Sequence, residues 1–325
     1  MQYRILGRTG LKVSVLGYGA GAVGGLLVRG SAAEQERSLA RALEAGITYV
    51  DTAPVYGDGA SETTLGRLLP AGRQGVSLGT KVRLKPEDMA DPAPVIAASL
   101  EASLRRLGRD SVDLLQLHNP LTVAGGGNLI SLPLLQERIL PALRRLREQG
   151  KIRFFGITAL GETAALRQVV RSGAIDTAQI PYNLLNPSAA GTLPPGLPGH
   201  DFGGLMNDCA ECGVGVIGIR ILAGGALSGE EERHPTAMPQ VAPIASAASY
   251  AEDVANARRL LPLVNEGLAG SLAEAAIRFA ITAPQMGTAL IGTASIEQLE
   301  VAIAAAGKGP LPEAALKRIA ALQGR

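Results

Sequence analysis

Hydrophobic and polar positions along this chain alternate between two kinds of stretch. Short apolar runs rich in β-branched residues, bounded by glycine or proline, are each followed by a longer stretch with apolar residues at helical spacing. The short runs are Val15–Tyr18, Ile47–Val50, Val76–Lys81, Asp113–His118, Ile152–Ile157, Thr177–Pro181, Gly215–Ile219 and Met286–Ile291. Between them, Ser31-Ala-Ala-Glu34 forms a capping box that opens a helix to Ala45, with Gly46 as its stop. Ser61 reads as the N-cap of a helix Glu62–Leu69. Further helices are predicted over Val95–Leu107, Leu132–Glu148, Glu162–Arg171, Gly204–Glu211, Tyr250–Leu263, Ser271–Ile281 and Pro312–Leu322. Eight strands alternating with helices predict an α/β chain closed as a (β/α)8 TIM barrel, one domain over residues 1–325. Ahead of the first strand, Gln2–Leu6 and Leu11–Ser14 flank the turn Gly7-Arg-Thr-Gly10 and read as a β-hairpin.

Three of the runs carry chemistry at their ends. Asp51 follows the second run, Lys81 ends the third and His118 the fourth, and Tyr56 stands five residues beyond Asp51 in a loop punctuated by proline and glycine. Taken alone, Asp51 and Tyr56 fit a turn-former and a packing tyrosine as well as a site. The spacing of 30 residues from Asp51 to Lys81 and 37 from Lys81 to His118 suits successive strand–helix units. All four side chains then fall on the C-terminal rim of a parallel sheet, where barrel enzymes keep their active sites.

Asp51-Thr-Ala-Pro-Val-Tyr56-Gly, Gly79-Thr-Lys81 and Leu117-His118 together resemble the Asp–Tyr–Lys–His tetrad of the aldo-keto reductases. The similarity runs from Tyr3-Arg-Ile-Leu-Gly-Arg-Thr-Gly10 past Leu290-Ile-Gly292, nearly the whole chain. The resemblance implies that the hairpin plugs the barrel's bottom and that long βα loops shape the site. It implies a hydride transfer between NAD(P)H and an aldehyde, ketone or sugar carbonyl. Tyr56 would then be the general acid, Lys81 the ammonium that eases release of its proton, Asp51 the anion that keeps Lys81 charged and aimed, and His118 an orienting group or aid to proton transfer.

The cofactor positions match less closely. The family's Ser-Asn pair after strand five becomes Thr158-Ala159 here, while the strand-six glutamine is kept as Gln179. The stacking aromatic on strand seven becomes Ile219 and its serine neighbour Arg220, which could reach a pyrophosphate or form a rim ion pair. The resemblance also sets Gly19, Ala20, Leu222 and Gly224 against the cofactor, and aligns Gly292-Thr-Ala-Ser-Ile-Glu-Gln298 with the adenosine-phosphate loop, where Thr293 and Ser295 would serve a helix N-terminus suited to phosphate. NADP(H) is the family's usual cofactor. The positions that normally carry a base for its 2′-phosphate are Gly292, Ala294 and Gln298, none of them basic, and Glu297 and Glu300 add negative charge. NAD(H) is therefore expected to be tolerated or preferred.

Composition narrows the alternatives. The chain has 46% hydrophobic residues, enough for a sizeable core, and a net charge of +2 without blocks of like charge, which argues against a nucleic-acid surface. Apolar runs are too short to span a membrane, and the start lacks a signal core, so a cytoplasmic location is expected. The expected partner is a small-molecule carbonyl or alcohol, met by a monomer or homo-oligomer. Gly19-x-Gly21-x-x-Gly24 spells a Rossmann fingerprint, but Leu26–Gly30 intervenes before a helix, and the acidic residue sought about 20 positions on falls inside a helix at Glu44. These glycines are read instead as letting the backbone pass close to a ligand. A non-catalytic barrel that binds nicotinamide cofactor is the other alternative. Cys209 and Cys212 lack a second pair and read as two buried thiols, and three scattered histidines offer no metal-ligand spacing. The loops Asn119–Ser131, Asn183–Gly203 and Ala223–Ser249 read as long, unstructured binding loops or lids, with His200 and His234 solvated in two of them.

Overall fold

The computed structural model describes residues 1–69 and 75–324. Strands β1 (Leu16–Gly19), β2 (Tyr49–Asp51), β3 (Ser77–Val82), β4 (Val112–Leu117), β5 (Ile152–Thr158), β6 (Thr177–Pro181), β7 (Gly215–Ile219) and β8 (Met286–Ile291) are the eight strands foreseen, each shifted by no more than two residues. They pair in parallel and in chain order, and β8 closes on β1. Closure removes every sheet edge, so the open Rossmann sheet is ruled out. The first helix, Ala32–Glu44, has both halves of its capping box: Ser31 Oγ accepts from the Glu34 N–H at 3.3 Å, and Glu34 Oε2 accepts from the Ser31 N–H at 2.9 Å.

The hairpin of Tyr3–Ile5 against Lys12–Ser14 lies across the bottom. Its Leu6, Leu11 and Val13 form one apolar layer inside the barrel with Tyr49, Leu114, Ile217 and Leu290. Gly215 and Gly287 make room for Leu6, since a Cβ on either would lie 2.7 Å from its side chain. That layer is the floor on which the rim residues stand.

Several local expectations are corrected. Ser61 is not an N-cap: the helix runs Ala60–Leu68 from Gly59, whose φ of 88° only glycine adopts without strain. Ser61 is buried instead, donating to the Ala20 carbonyl at 2.8 Å and pairing with Thr52 Oγ1 at 2.7 Å, which ties the loop after β1 to the loop after β2. The helix expected over 132–148 opens at Leu132, widens to a π turn at Leu135–Ile139 and continues as Leu140–Glu148. Pro141 explains the turn, because it has no N–H and its ring crowds the carbonyl four residues back. The helix expected over 250–263 stops at Arg258 and resumes as Pro262–Asn265.

The long loops are also more ordered than their composition suggested. In the first, Leu121–Thr122 pairs with Ile130–Ser131, and Asn119 holds the Leu84 N–H and carbonyl and the Asn128 carbonyl, each at 2.8 Å. In the second, Asn183 and Asn186 are almost wholly buried and bond their own loop's backbone. His200 is not solvated, since its Nε2 pairs with Thr163 Oγ1 at 2.8 Å and its ring meets Phe202 edge-on. Of the two cysteines only Cys209 is fully buried, with its thiol pushed up to about 12 by burial; Cys212 caps the helix Leu205–Glu211 and is half-buried. Among the described residues no helix is long and apolar enough to cross a membrane.

Candidate active site

Strand register sets the site. Gly19 on β1 stands beside Asp51 on β2, and Asp51 beside Gly79 on β3, so Lys81 lies one pleat further up than Asp51. A lysine stem is long enough to bend back, and Lys81 Nζ donates to Asp51 Oδ1 and, at 2.8 Å, to the Thr52 carbonyl. Both partners are buried, Lys81 at 2% exposure and Asp51 at 3%. Burial pulls the Lys81 pKa down, but the charges of Asp51 and Tyr56 and their hydrogen bonds outweigh it, so the ammonium is held above its ordinary range. Lys81 Nζ lies 4.8 Å from the centre of the Tyr56 ring. His118, one residue past β4, meets that ring edge-on at 6.2 Å. The four residues foreseen from the motif are thus brought together on one rim.

The Asp51 carboxylate is held from its other side as well. Gln179 Nε2 donates to Oδ2 at 2.6 Å, and the Tyr49 hydroxyl donates to the same oxygen at 3.2 Å. Asp51 therefore has both oxygens occupied by donors.

Burial first, and then the charges of Lys81 and Arg83, lower the His118 pKa to about 3. His118 is a neutral imidazole at any working pH, fit to donate a hydrogen bond to an oxygen but not to act as an imidazolium. Its Nδ1 is buried without a partner among the described residues. A histidine in an unfolded chain takes a proton near 6.5. Between about 3 and 6.5 the unfolded state thus binds more protons, and stability falls as the pH drops. Going from pH 7 to 4.5, His118→Asn is expected to lose about 2–3 kcal/mol less stability than the native chain, the equivalent of roughly two pKa units. Urea unfolding at the two pH values measures this, and equal losses would mean that His118 protonates in place.

Asp51, Tyr56 and His118 open onto a cavity of about 600 Å³ that runs from the tetrad to the loop after β8. Of the positions matched to a cofactor site, Gly19, Thr158, Gln179, Ile219, Arg220, Leu222, Gly224, Gly292, Thr293 and Gln298 line it. Ala20 and Ser295 do not: Ala20 is buried with its N–H on the Asp51 carbonyl, and Ser295 Oγ accepts from the Gln298 N–H as the N-cap of the helix Ile296–Gly307. Gly19, Gly21 and Gly24 all line the cavity, but at Gly24 the tight contact is protein, since a Cβ there would sit 2.6 Å from the Thr293 amide nitrogen. That glycine serves loop-on-loop packing rather than ligand approach.

Arg220 adopts a φ of 57°, unusual for a residue with a side chain, and Asn183 Nδ2 holds its carbonyl at 2.8 Å. Burial, and then the nearby Arg233, lower its pKa against the pull of Tyr56 and Asp253. Arg233 also lines the cavity; it donates to the Gly224 carbonyl at 2.7 Å and the Met238 carbonyl at 2.6 Å, and its guanidinium stacks on Tyr250 at 4.9 Å. Motif matching missed Arg233, because within Glu-Glu-Arg-His it looks like an ordinary surface charge. His234 is exposed, as a solvated loop histidine would be, and also lines the cavity. Glu300 adds little charge at the far end, being paired with Arg41 through two contacts of 2.5 and 3.0 Å. Glu297 is held below the usual carboxylate range, chiefly by its own backbone N–H and the Ser295 side chain, with the charge of Arg37 adding to this.

The model of the aldo/keto reductase family matches residues 15–323. The chain belongs to the aldo-keto reductase family. It is 31% identical to an L-galactose dehydrogenase of Arabidopsis thaliana over 94% of this chain and 88% of that one. It is likewise 31% identical to a D-threo-aldose 1-dehydrogenase of a Pseudomonas species, over 69% of this chain and 70% of the other. Among solved structures, an aldo-keto reductase of Bacillus halodurans in its holo form superposes with a TM-score of 0.72 at 25% identity, covering 99% of this chain and 96% of that one. These relatives make the protein an oxidoreductase of that family.

The cavity suits the family's nicotinamide cofactor. Two guanidinium groups, Arg220 and Arg233, line the cavity where a diphosphate would need cations, and glycine lines it at positions 19, 21, 224 and 292. Beside Asp51, Gln179 Oε1 has only a long 3.4 Å contact from Thr158, leaving acceptor capacity for a carboxamide.

Proposed function

We propose that this aldo-keto reductase interconverts a small carbonyl and its alcohol, with Tyr56 as the group that gives and takes the proton. The observation that carries the reading is the buried Lys81 ammonium, anchored on Asp51 and set against the Tyr56 ring at the floor of the cavity. A bound nicotinamide would supply or accept the hydride. Negative charge grows on the carbonyl oxygen as it is reduced, so a donor must stand ready there. Tyr56 offers its phenolic proton, Lys81 favours release of that proton, and Asp51 keeps Lys81 charged and turned toward the ring. Neutral His118 donates a hydrogen bond to the same oxygen and orients it. Thr158 and Gln179 serve the carboxamide, Ile219 packs on the ring face, and Arg220 with Arg233 neutralises the diphosphate.

The test is a screen for oxidation of reduced cofactor over aldehydes, ketones and aldoses, followed by the reverse reaction on the corresponding alcohols. Turnover of at least one class is expected, with sugars included because two relatives are named for them. Tight cofactor binding without turnover of any class would favour the non-catalytic, cofactor-binding barrel.

We also propose dual use of NADH and NADPH. No arginine or lysine lies among residues 292–298, and Glu297 is the one carboxylate there without an ion-pair partner among the described residues. A missing charge-assisted hydrogen bond is worth about 1.5–3 kcal/mol, or roughly 10–100-fold in affinity. Gln298 is exposed at the cavity edge whereas Ala294 is buried, so Gln298→Arg is the variant that can place a guanidinium without repacking. It is expected to tighten NADPH by roughly tenfold or more while leaving NADH unchanged. Fluorescence titration of both cofactors at one ionic strength measures this. A native preference for NADPH beyond about 1,000-fold, some 4 kcal/mol, would mean that another cation fills the role.

A further inference from the structure

We infer that Tyr49 is a positioning residue for this site: its hydroxyl, acting with the Gln179 amide, fixes Asp51 Oδ2 so that Oδ1 stays on Lys81. The inference rests on the carbonyl reading above for its catalytic consequence, and on geometry for the rest. Tyr49 precedes Asp51 by two residues on β2, so both side chains point into the barrel. Its ring belongs to the apolar floor with Leu6, Val13, Leu114 and Leu290, and the residue is 0% exposed. A phenylalanine would fill that floor as well. The oxygen is what needs explaining.

That oxygen has a space prepared for it. On β3, beside Asp51, stands Gly79, where a Cβ would overlap the Tyr49 hydroxyl and would lie 3.3 Å from its Cζ and 3.4 Å from Asp51 Oδ2. Gly79 is absent from the positive-φ residues, so room, not backbone freedom, is what the missing side chain provides. On β1, across the other side of Tyr49, Gly17 would bring a Cβ within 3.3 Å of the ring. Burial, and then the charge and hydrogen bond of Asp51, hold the Tyr49 phenol well above its usual range, so it remains a donor throughout the working pH range. Gln179 is the residue proposed to meet the carboxamide, and its hold on Asp51 is exposed to each exchange of cofactor. Tyr49 is not itself among the residues that line the cavity, and it keeps Oδ2 anchored through that exchange.

The experiment compares Tyr49→Phe, Gly79→Ala and the double variant. Losing one hydrogen bond worth about 0.5–1.5 kcal/mol, Tyr49→Phe is expected to lower kcat roughly 3–10-fold. The carbonyl KM and the cofactor Kd should stay within about twofold, and the pH midpoint of kcat should move. Gly79→Ala alone crowds the hydroxyl and is expected to lower Tm most. In the double variant the new methyl takes the space the oxygen vacated, so Tm should recover toward that of Tyr49→Phe or better while kcat and the pH midpoint stay displaced. A kcat that recovers in step with Tm, or a Tyr49→Phe enzyme with native kcat and pH midpoint, would reduce Tyr49 to core packing. A readout free of turnover separates this inference from the carbonyl reading. The chain has only six lysines, so lysine-labelled protein allows the Lys81 side-chain NMR resonance to be followed through pH. It should shift in Tyr49→Phe; an unchanged Lys81 resonance would overturn the Tyr49 role by itself, whereas a native chain that reduces nothing would overturn only the carbonyl reading.

Discussion

Tyr56→Phe is expected to bind cofactor as the native chain does and to reduce carbonyls roughly 10²–10⁴-fold more slowly, the usual worth of a positioned general acid. Only an oxygen is removed. The ring stays where Lys81 at 4.8 Å and His118 at 6.2 Å hold it, so the variant should fold and keep its cavity. No other group can take over cheaply: His118 is neutral down to about pH 3, and Lys81 is buried, with two of its donors already turned to Asp51 and Thr52. The proposed cofactor contacts come from other strands, at Thr158, Gln179 and Arg220, and do not pass through the phenol. Fluorescence titration of the cofactor and single-turnover reduction measure the two halves separately. Near-native turnover would remove Tyr56 from the mechanism.

Lys81→Met is expected to cost both activity and fold. Methionine matches the stem in length but leaves the Asp51 carboxylate, 3% exposed, with only the neutral donors Tyr49 and Gln179. Breaking a buried pair by removing one partner costs about 3–5 kcal/mol. The sign with pH follows from the raised Lys81 pKa: its contribution is fully present below the unfolded value of 10.5 and is lost only as the pH rises through the still higher folded value. The gap between native chain and variant should thus be constant from neutral pH to about 10 and narrow beyond it. Replacing both partners, as Asp51→Asn with Lys81→Met, should recover part of the stability and none of the activity, because an uncharged pair leaves no stranded ion. In Lys81→Met the pH at which kcat half-changes should rise, since the cation that favours proton release is gone. Urea unfolding across pH and the kcat profile check these points; a loss under about 1 kcal/mol would show that water already reaches the pair.

The two forecasts differ in what they needed from the fold. Tyr56 was marked by its motif alone, whereas the cost of losing Lys81 depends on burial, which no motif reports. The same split runs through the rest of the chain. Strand ends at Asp51, Lys81 and His118 were legible because alternating strands and helices obey local rules of period and punctuation, and a parallel barrel puts every strand's C-terminal end on one rim. The N-caps were legible for the same reason, as Ser31 and Ser295 act within four residues of themselves. Ser61 misled because its hydroxyl is spent across the chain on Ala20 and Thr52 rather than along its own helix.

What the sequence by itself determined is therefore the barrel, its order of strands and the four rim residues, all legible from local period and punctuation together with the tetrad motif. Only the tertiary structure decided that Glu300 is neutralised by Arg41, that Arg233 enters the cavity from a distant loop, and that Tyr49 reaches Asp51 through a gap left by Gly79. Each of these joins strands or loops separated in the chain. Charge pairing and steric room depend on distances in space, and spacing along a sequence does not encode them until the barrel has closed.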